Sequence, residues 1–283
     1  MEAKLGVLII HGVGSHKPDF AEPMKAKLNR RISNNDVIRW EEVCWADEIE
    51  NREAKLLNRL FQKDKDPHWF LKWFIRFKLR ELVMSGIGDV AAYRSIPDVS
   101  GHTSTRRTNK IYDIIHKCVH GHIATLRDNL GNADKPLIVI AHSLGSVIMY
   151  DYIWDRQQHI NKELYGANAF ECMETLAGVI TFGSPIPLFT FGYDTNVSII
   201  FPPDNLPDNL QILKDEAKWL NFYDRDDAFA WPLKDLRKCV NKQISVGSIF
   251  TRWNILCHSK YWTDNNFIKP VAKYISEILK LCR

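Results

Sequence analysis

The segment Leu137-Ile138-Val139-Ile140-Ala141-His142-Ser143-Leu144-Gly145 constrains the fold more than any other part of the chain. Residues 137–141 form an unbroken apolar run after Pro136, short and mostly β-branched, with no polar position on either face. Such a strand is stable only where both faces of its sheet are covered, which is the condition of a parallel sheet with helices above and below. From Leu144 the pattern changes, and Val147, Ile148, Tyr150 and Tyr152, followed by Ile153 and Trp154, suit a helix. Ser143 falls at the junction, with the small residues Ala141 and Gly145 two places to each side. A strand that turns sharply into a helix holds its middle residue in strained backbone and excludes bulk nearby. That turn lifts the Ser143 hydroxyl above the sheet edge and aims the first helical N–H groups at whatever the hydroxyl meets. The plainer alternative is a serine that caps an ordinary helix.

This strand–serine–helix arrangement resembles the nucleophile elbow of the α/β-hydrolase superfamily. The usual form is Gly-x-Ser-x-Gly; here Ala141 stands in the first position and is still small. The resemblance implies an α/β-hydrolase fold: a mostly parallel central sheet, helices on both faces and a helical cap or lid insertion. It also implies a nucleophile at Ser143 and a chain order of Ser, Asp, His for the catalytic residues. With 283 residues, 45% of them apolar, the chain has the material for one large α/β domain over 1–283.

Residues 5–10 are a second continuous apolar run and a second candidate buried strand, ending at His11-Gly12-Val13-Gly14. Two glycines let the backbone approach a substrate and turn N–H groups inward. By resemblance this is the oxyanion loop: the Val13 amide is one donor, the Leu144 amide the other, and His11 holds the loop rather than doing chemistry. A helix is expected over 18–32, where Phe20, Met24 and Leu28 recur every fourth residue, and an outer strand over 37–45. Residues 48–61 are read as a helix with Ile49, Leu56, Leu57 and Leu60 on one side, and 63–66 as a solvated corner.

The stretch 68–80 sets Phe70, Trp73, Phe74 and Phe77 on one helical face and Lys72, Arg76 and Arg80 on another. A basic amphipathic helix carrying Trp and Phe suits a lipid headgroup boundary. Three roles stay open for the insertion over 64–100. It can be a cap or lid, as the superfamily implies, a peripheral membrane contact through Trp69, Phe70, Trp73, Phe74 and Phe77, or plain scaffold.

A long helix is expected over 103–130, on an apolar stripe from Ile111 to Leu130. His116 and His120 are four apart on it, a metal-ligand spacing, but Lys117 stands where a zinc-protease helix has glutamate and no third ligand is near; they read as ordinary exposed histidines. Beyond the serine, 161–174 is irregular and polar, 176–182 is another buried strand, and 186–210, rich in proline, is a long loop. Ser184 is a rival nucleophile, but it lacks the flanking small residues, and Pro185 cannot donate a helical amide.

A core strand over 219–223 leads into Asp224-Arg225-Asp226-Asp227-Ala228-Phe229-Ala230. By resemblance the triad acid lies in this loop; Asp227 matches best, with Asp226 and Asp224 as alternates, and only one of the three can serve. A short last strand is expected over 243–246 and a C-terminal helix over 267–279, with His258 on the loop between them as the catalytic histidine.

The net charge of +4 and the absence of a basic stripe exclude a nucleic-acid partner. Six scattered cysteines without a Cys-x-x-Cys pair speak against a zinc ribbon or redox motif and for a reducing, cytoplasmic compartment, peripheral to a membrane at most. No cleavable signal peptide is evident and no segment is long and apolar enough to span a bilayer. The expected function is hydrolysis of carboxylic ester or thioester bonds, on an acyl-lipid or other apolar acyl substrate, without cofactor or metal. A non-catalytic binding or scaffold role on the same fold, and acyl transfer by the same residues, are the alternatives.

Overall fold

Six strands form one sheet in which every pairing is parallel, in the order β2-β1-β3-β4-β5-β6. They are β1 (Leu5–Ile10), β2 (Ile38–Val43), β3 (Leu137–His142), β4 (Leu176–Phe182), β5 (Lys218–Tyr223) and β6 (Cys239–Gln243). The computed structural model describes residues 2–13, 18–45, 93, 110–131, 134–160, 166, 168–189, 198–233, 239–247 and 257–282. The expected helix over 48–61 and the aromatic–basic stretch with Trp69, Phe70, Trp73, Phe74 and Phe77 lie outside the described residues. Of the insertion over 64–100 only Tyr93 is described.

The unbroken apolar runs are explained by a core on each face. Leu8, Ile10, Leu137, Val139 and Ala141 point into one cluster; Leu5, Val7, Ile9, Ile138 and Ile140 point into the other. Successive side chains of a strand alternate between faces, so a strand buried on both is apolar except where a polar side chain finds a hydrogen-bond partner. Helices α2 (Lys110–Leu130) and α3 (Leu144–Gln157) cover the first face, with Ile115, Val119, Ile123, Val147 and Ile148 in its core. Helices α1 (Glu22–Asn29) and α5 (Asn265–Leu281) cover the second, through Met24, Leu28, Phe267, Val271 and Ile275. The architecture is α/β-hydrolase-like, as expected.

Three elements differ from expectation. α1 is shorter than 18–32: a helix begun at residue 18 would put the Pro23 ring against the carbonyl of residue 19, whereas a start at Glu22 leaves Pro23 in the first turn. α3 is the helix expected after the serine, and residues 144–156 are buried all round. The last strand is Cys239–Gln243, not 243–246. It is a half-exposed edge strand with little apolar signal, while Val246 is buried in the loop beyond it, where its amide donates to Asp224 Oδ2 at 2.7 Å. The loop from Ile186 contains a one-turn helix α4 (Ile186–Phe189), and Asp208–Leu213 is a 3₁₀ turn.

β1 lies between β2 and β3, so the chain reverses its direction of travel across the sheet after β2. The crevice beyond the carboxyl ends of strands flanking such a reversal is where open α/β sheets hold ligands. Register brings Ile10 level with Ala141, His142 level with Phe182, and Phe182 level with Phe222. The segments after β1, β3, β4 and β5 therefore emerge along one edge.

Candidate active site

Ser143 sits between β3 and α3 at φ 51°, ψ −128°, a region that side-chain-bearing residues rarely occupy. The neighbours enforce this turn. The Ser143 amide donates to the Phe182 carbonyl at 3.1 Å, and its carbonyl accepts from the amide and hydroxyl of Ser146, the hydroxyl at 2.5 Å. A side chain at Gly145 would strike the His11 carbonyl, so glycine is required where α3 passes the end of β1. A side chain at Gly12 would come to 2.5 Å from the Ser143 Cβ, which places the loop carrying Val13 directly against the serine. Leu144 is the first residue of α3, beside the same hydroxyl. His11 is buried; its Nδ1 donates to the Gly12 carbonyl at 2.7 Å, its ring stacks on Trp45, and its carbonyl accepts from Trp45 Nε1 at 3.0 Å.

His258 lies in a 3₁₀ turn (Cys257–Thr263) that leads into α5. Its Nε2 is 2.7 Å from Ser143 Oγ, and its Nδ1 is 2.8 Å from Asp227 Oδ2. A carboxylate accepts only, so Nδ1 carries the proton and Nε2 presents its lone pair to the serine hydroxyl. The Asp227 side chain is 1% exposed and its other oxygen accepts from the Phe229 amide at 3.0 Å, so the acid is held on both sides. Gly183, at φ +59°, leaves room for the imidazole: a side chain there would come to 2.9 Å from His258 Cε1.

The three aspartates of the loop have separate positions. Only Asp227 meets His258. Asp224 is buried, takes the amides of Asp226 at 3.0 Å and Val246 at 2.7 Å, and donates its own amide to the Tyr261 hydroxyl at 2.8 Å; it closes the loop. Asp226 is exposed. Ser184 is buried and bonded to Ser146 Oγ at 2.7 Å, beneath the serine rather than beside the imidazole.

Cys257 precedes the histidine and is no competing nucleophile. Burial, with the carboxylates of Asp227, Asp224 and Asp226, pushes its thiol up to about 11. Burial, aided by Asp227, also holds the Tyr261 phenol far above its usual range, so it remains a neutral hydrogen-bonding group. Two further residues at this edge escaped the sequence: Tyr261 and His142, whose Nε2 lies 2.9 Å from the His258 carbonyl.

His116 and His120 meet different partners, and His120 Nδ1 lies 3.3 Å from the Tyr152 hydroxyl. Against expectation His116 is buried, bonded to Tyr93 at 3.0 Å and set 3.3 Å from Asp155. Among the described residues no group of three or more histidine, cysteine, aspartate or glutamate side chains is placed to hold a metal ion. Cys239, Cys257 and Cys282 are free thiols. Among the described residues no helix is long and apolar enough to cross a membrane.

No protein-family model matches the chain, and no curated protein sequence does. Among solved structures it is similar to the crystal structure of esterase PE8, at 12% identity and a TM-score of 0.38, over 98% of this chain and 94% of that one. It is also similar to an uncharacterised protein from Pseudomonas aeruginosa, at 12% identity and a TM-score of 0.36, over 98% of this chain and 48% of that one.

Proposed function

We propose that this chain is a serine hydrolase that cleaves carboxylic ester or thioester bonds through an acyl-enzyme. The observation that carries the proposal is the continuous line from Ser143 Oγ through the two ring nitrogens of His258 to the buried Asp227 carboxylate. A serine hydroxyl is a weak nucleophile at its own pKa and needs a base within hydrogen-bond reach, oriented by a third group. Here His258 Nε2 accepts the Ser143 proton as Oγ bonds to the substrate carbonyl carbon. Asp227 holds the tautomer and stabilises the imidazolium. The amides of Val13 and Leu144 receive the oxyanion; one such donor is worth roughly 3 kcal/mol. His258 then returns the proton to the departing alcohol or thiol as the C–O or C–S bond breaks. Water repeats the sequence and releases the acid.

An apolar substrate is supported by the rim of the site. Phe229 is 42% exposed, and its ring lies 5.2 Å from that of His258. Trp231 on the same loop and Leu188 on α4 are also exposed, and the Trp231 amide ties the loop to the Ser184 carbonyl at 3.1 Å. Backbone bonds that present large apolar side chains to water suit an acyl chain or apolar alcohol. Membrane contact through Trp69, Phe70, Trp73, Phe74 and Phe77 is a separate proposal, resting on sequence alone; flotation with vesicles of mixed neutral and anionic phospholipid tests it.

The deciding experiment is labelling with a fluorophosphonate probe. The native protein is expected to label and Ser143→Ala to remain unlabelled. A native protein that takes up no probe and turns over no p-nitrophenyl ester would overturn the proposal.

A further inference from the structure

His142 is the last residue of β3 and directly precedes the serine. It points to the same face of the sheet as Ile138 and Ile140, where the alternation calls for an apolar residue. A polar group there costs free energy unless it is bonded. Its Nε2 is 2.9 Å from the backbone carbonyl of His258. A carbonyl only accepts, so Nε2 is the donor. The ring also packs 4.7 Å from the His258 ring, 4.7 Å from Phe182 and, edge-on, 5.3 Å from Trp262. The segment 257–263 is a 3₁₀ helix of about two turns, whose internal hydrogen bonds have poorer geometry than those of an α-helix. The placement of the imidazole relative to the serine thus depends on what grips the main chain at residue 258.

We infer that His142 is a positioning residue, whose Nε2–H ties the His258 carbonyl to the end of β3 and so sets the distance from imidazole to Ser143 Oγ. The inference rests on the serine-hydrolase reading above and extends it to a side chain that touches no substrate. Its logic is one of shared support. Ser143 and His142 are consecutive on one rigid strand end, and that strand end holds the hydroxyl by its backbone and the base by this bond. A displacement of about 1 Å at reacting groups costs up to roughly a hundredfold in rate.

The test compares two side chains of equal length, His142→Gln, which keeps an N–H donor, and His142→Met, which does not; His142→Phe keeps the ring alone. Active sites are titrated with fluorophosphonate, so that misfolded protein drops out, and kcat and KM are measured on p-nitrophenyl acetate. In H142M and H142F, kcat per titrated site is expected to fall roughly 10- to 100-fold with KM changed less than about threefold, and H142Q to recover to within about fivefold of the native value. Equal kcat per titrated site in all the proteins, or an equal loss in H142Q and H142M, would overturn the positioning role alone. A native protein that does not titrate would overturn the serine-hydrolase reading and this inference with it.

Discussion

Two histidines of this protein stand against buried aspartates, and their surroundings differ in one decisive respect. At the sheet edge, His258 meets Asp227 at 2.8 Å through Nδ1 and offers Nε2 to a serine hydroxyl, with its side chain 14% exposed. Between α2 and α3, His116 lies 3.3 Å from Asp155 through Nδ1, and its Nε2 faces the Tyr93 hydroxyl at 3.0 Å, with its side chain 3% exposed. That hydroxyl gives its proton to Asp151 and so accepts from His116. Tyr112 closes the cluster, bonding Asp155 at 2.7 Å while its ring lies 3.8 Å from that of His116. The same pair of residue types therefore faces a serine hydroxyl at a sheet edge in one place and forms a sealed polar joint in the other. A histidine–carboxylate pair becomes chemistry only when its second nitrogen meets a nucleophile at an edge a substrate can reach.

The sharpest way to break this comparison is to delete each histidine. His258→Ala or Ser143→Ala is expected to lower kcat for p-nitrophenyl acetate by about 10⁴-fold or more. His116→Ala is expected to leave kcat per titrated site within a few-fold and to lower unfolding free energy by about 2–4 kcal/mol, read from the denaturant midpoint. Comparable rate losses in both would mean that the two clusters are not separate in kind.

The paired aspartates give the next largest contrast. Asp227→Asn is expected to cut kcat by roughly 10⁴-fold, because an amide no longer enforces the tautomer. Asp224→Asn is expected to act through stability, since its carboxylate closes a loop. A kcat loss in D224N as large as in D227N would move the acid assignment. Gly183→Ala sharpens the steric side: a methyl group at φ +59° and 2.9 Å from His258 should lower kcat by about tenfold or more with little change in KM. In the sealed cluster, Tyr112→Phe removes a bond to a buried carboxylate and should cost about 1.5–3 kcal/mol of stability with no change in kcat.

The smallest effect concerns Cys257. With its thiol at about 11, roughly one molecule in 10⁴ is thiolate at pH 7, so iodoacetamide should leave it unmodified in protein whose Ser143 a fluorophosphonate labels. The same shift has a sign for stability. The folded state keeps the proton that the unfolded chain gives up near 9, so this contribution is fully present below pH 9 and lost as pH rises through 11. A melting temperature that rises over that range in the wild type, relative to Cys257→Ala, would contradict it.

Legibility in the sequence followed burial. β1 and β4 run over Leu5–Ile10 and Leu176–Phe182, the spans their apolar runs predict, because a strand covered on both faces is nearly all apolar. β6 lies several residues before the span expected for it, because an edge strand reading Cys-Val-Asn-Lys-Gln carries almost no pattern. α5 was found, but its start at Asn265 is set by Asp264, whose side chain accepts from the Asn266 amide. His116 looked like a surface histidine because its partners lie 39 residues on, at Asp155, and 23 residues back, at Tyr93.

By itself the sequence determined the strand–serine–helix junction, the parallel two-cored sheet and the order in which serine, aspartate and histidine occur. Each is a local pattern, written in neighbours along the chain. Only the tertiary structure decided which of three adjacent aspartates meets the imidazole, that Cys257 is held neutral, and that the residue before the serine grips the main chain of His258. These depend on side chains more than thirty residues apart in sequence converging within hydrogen-bond distance, and no short-range periodicity encodes such a meeting.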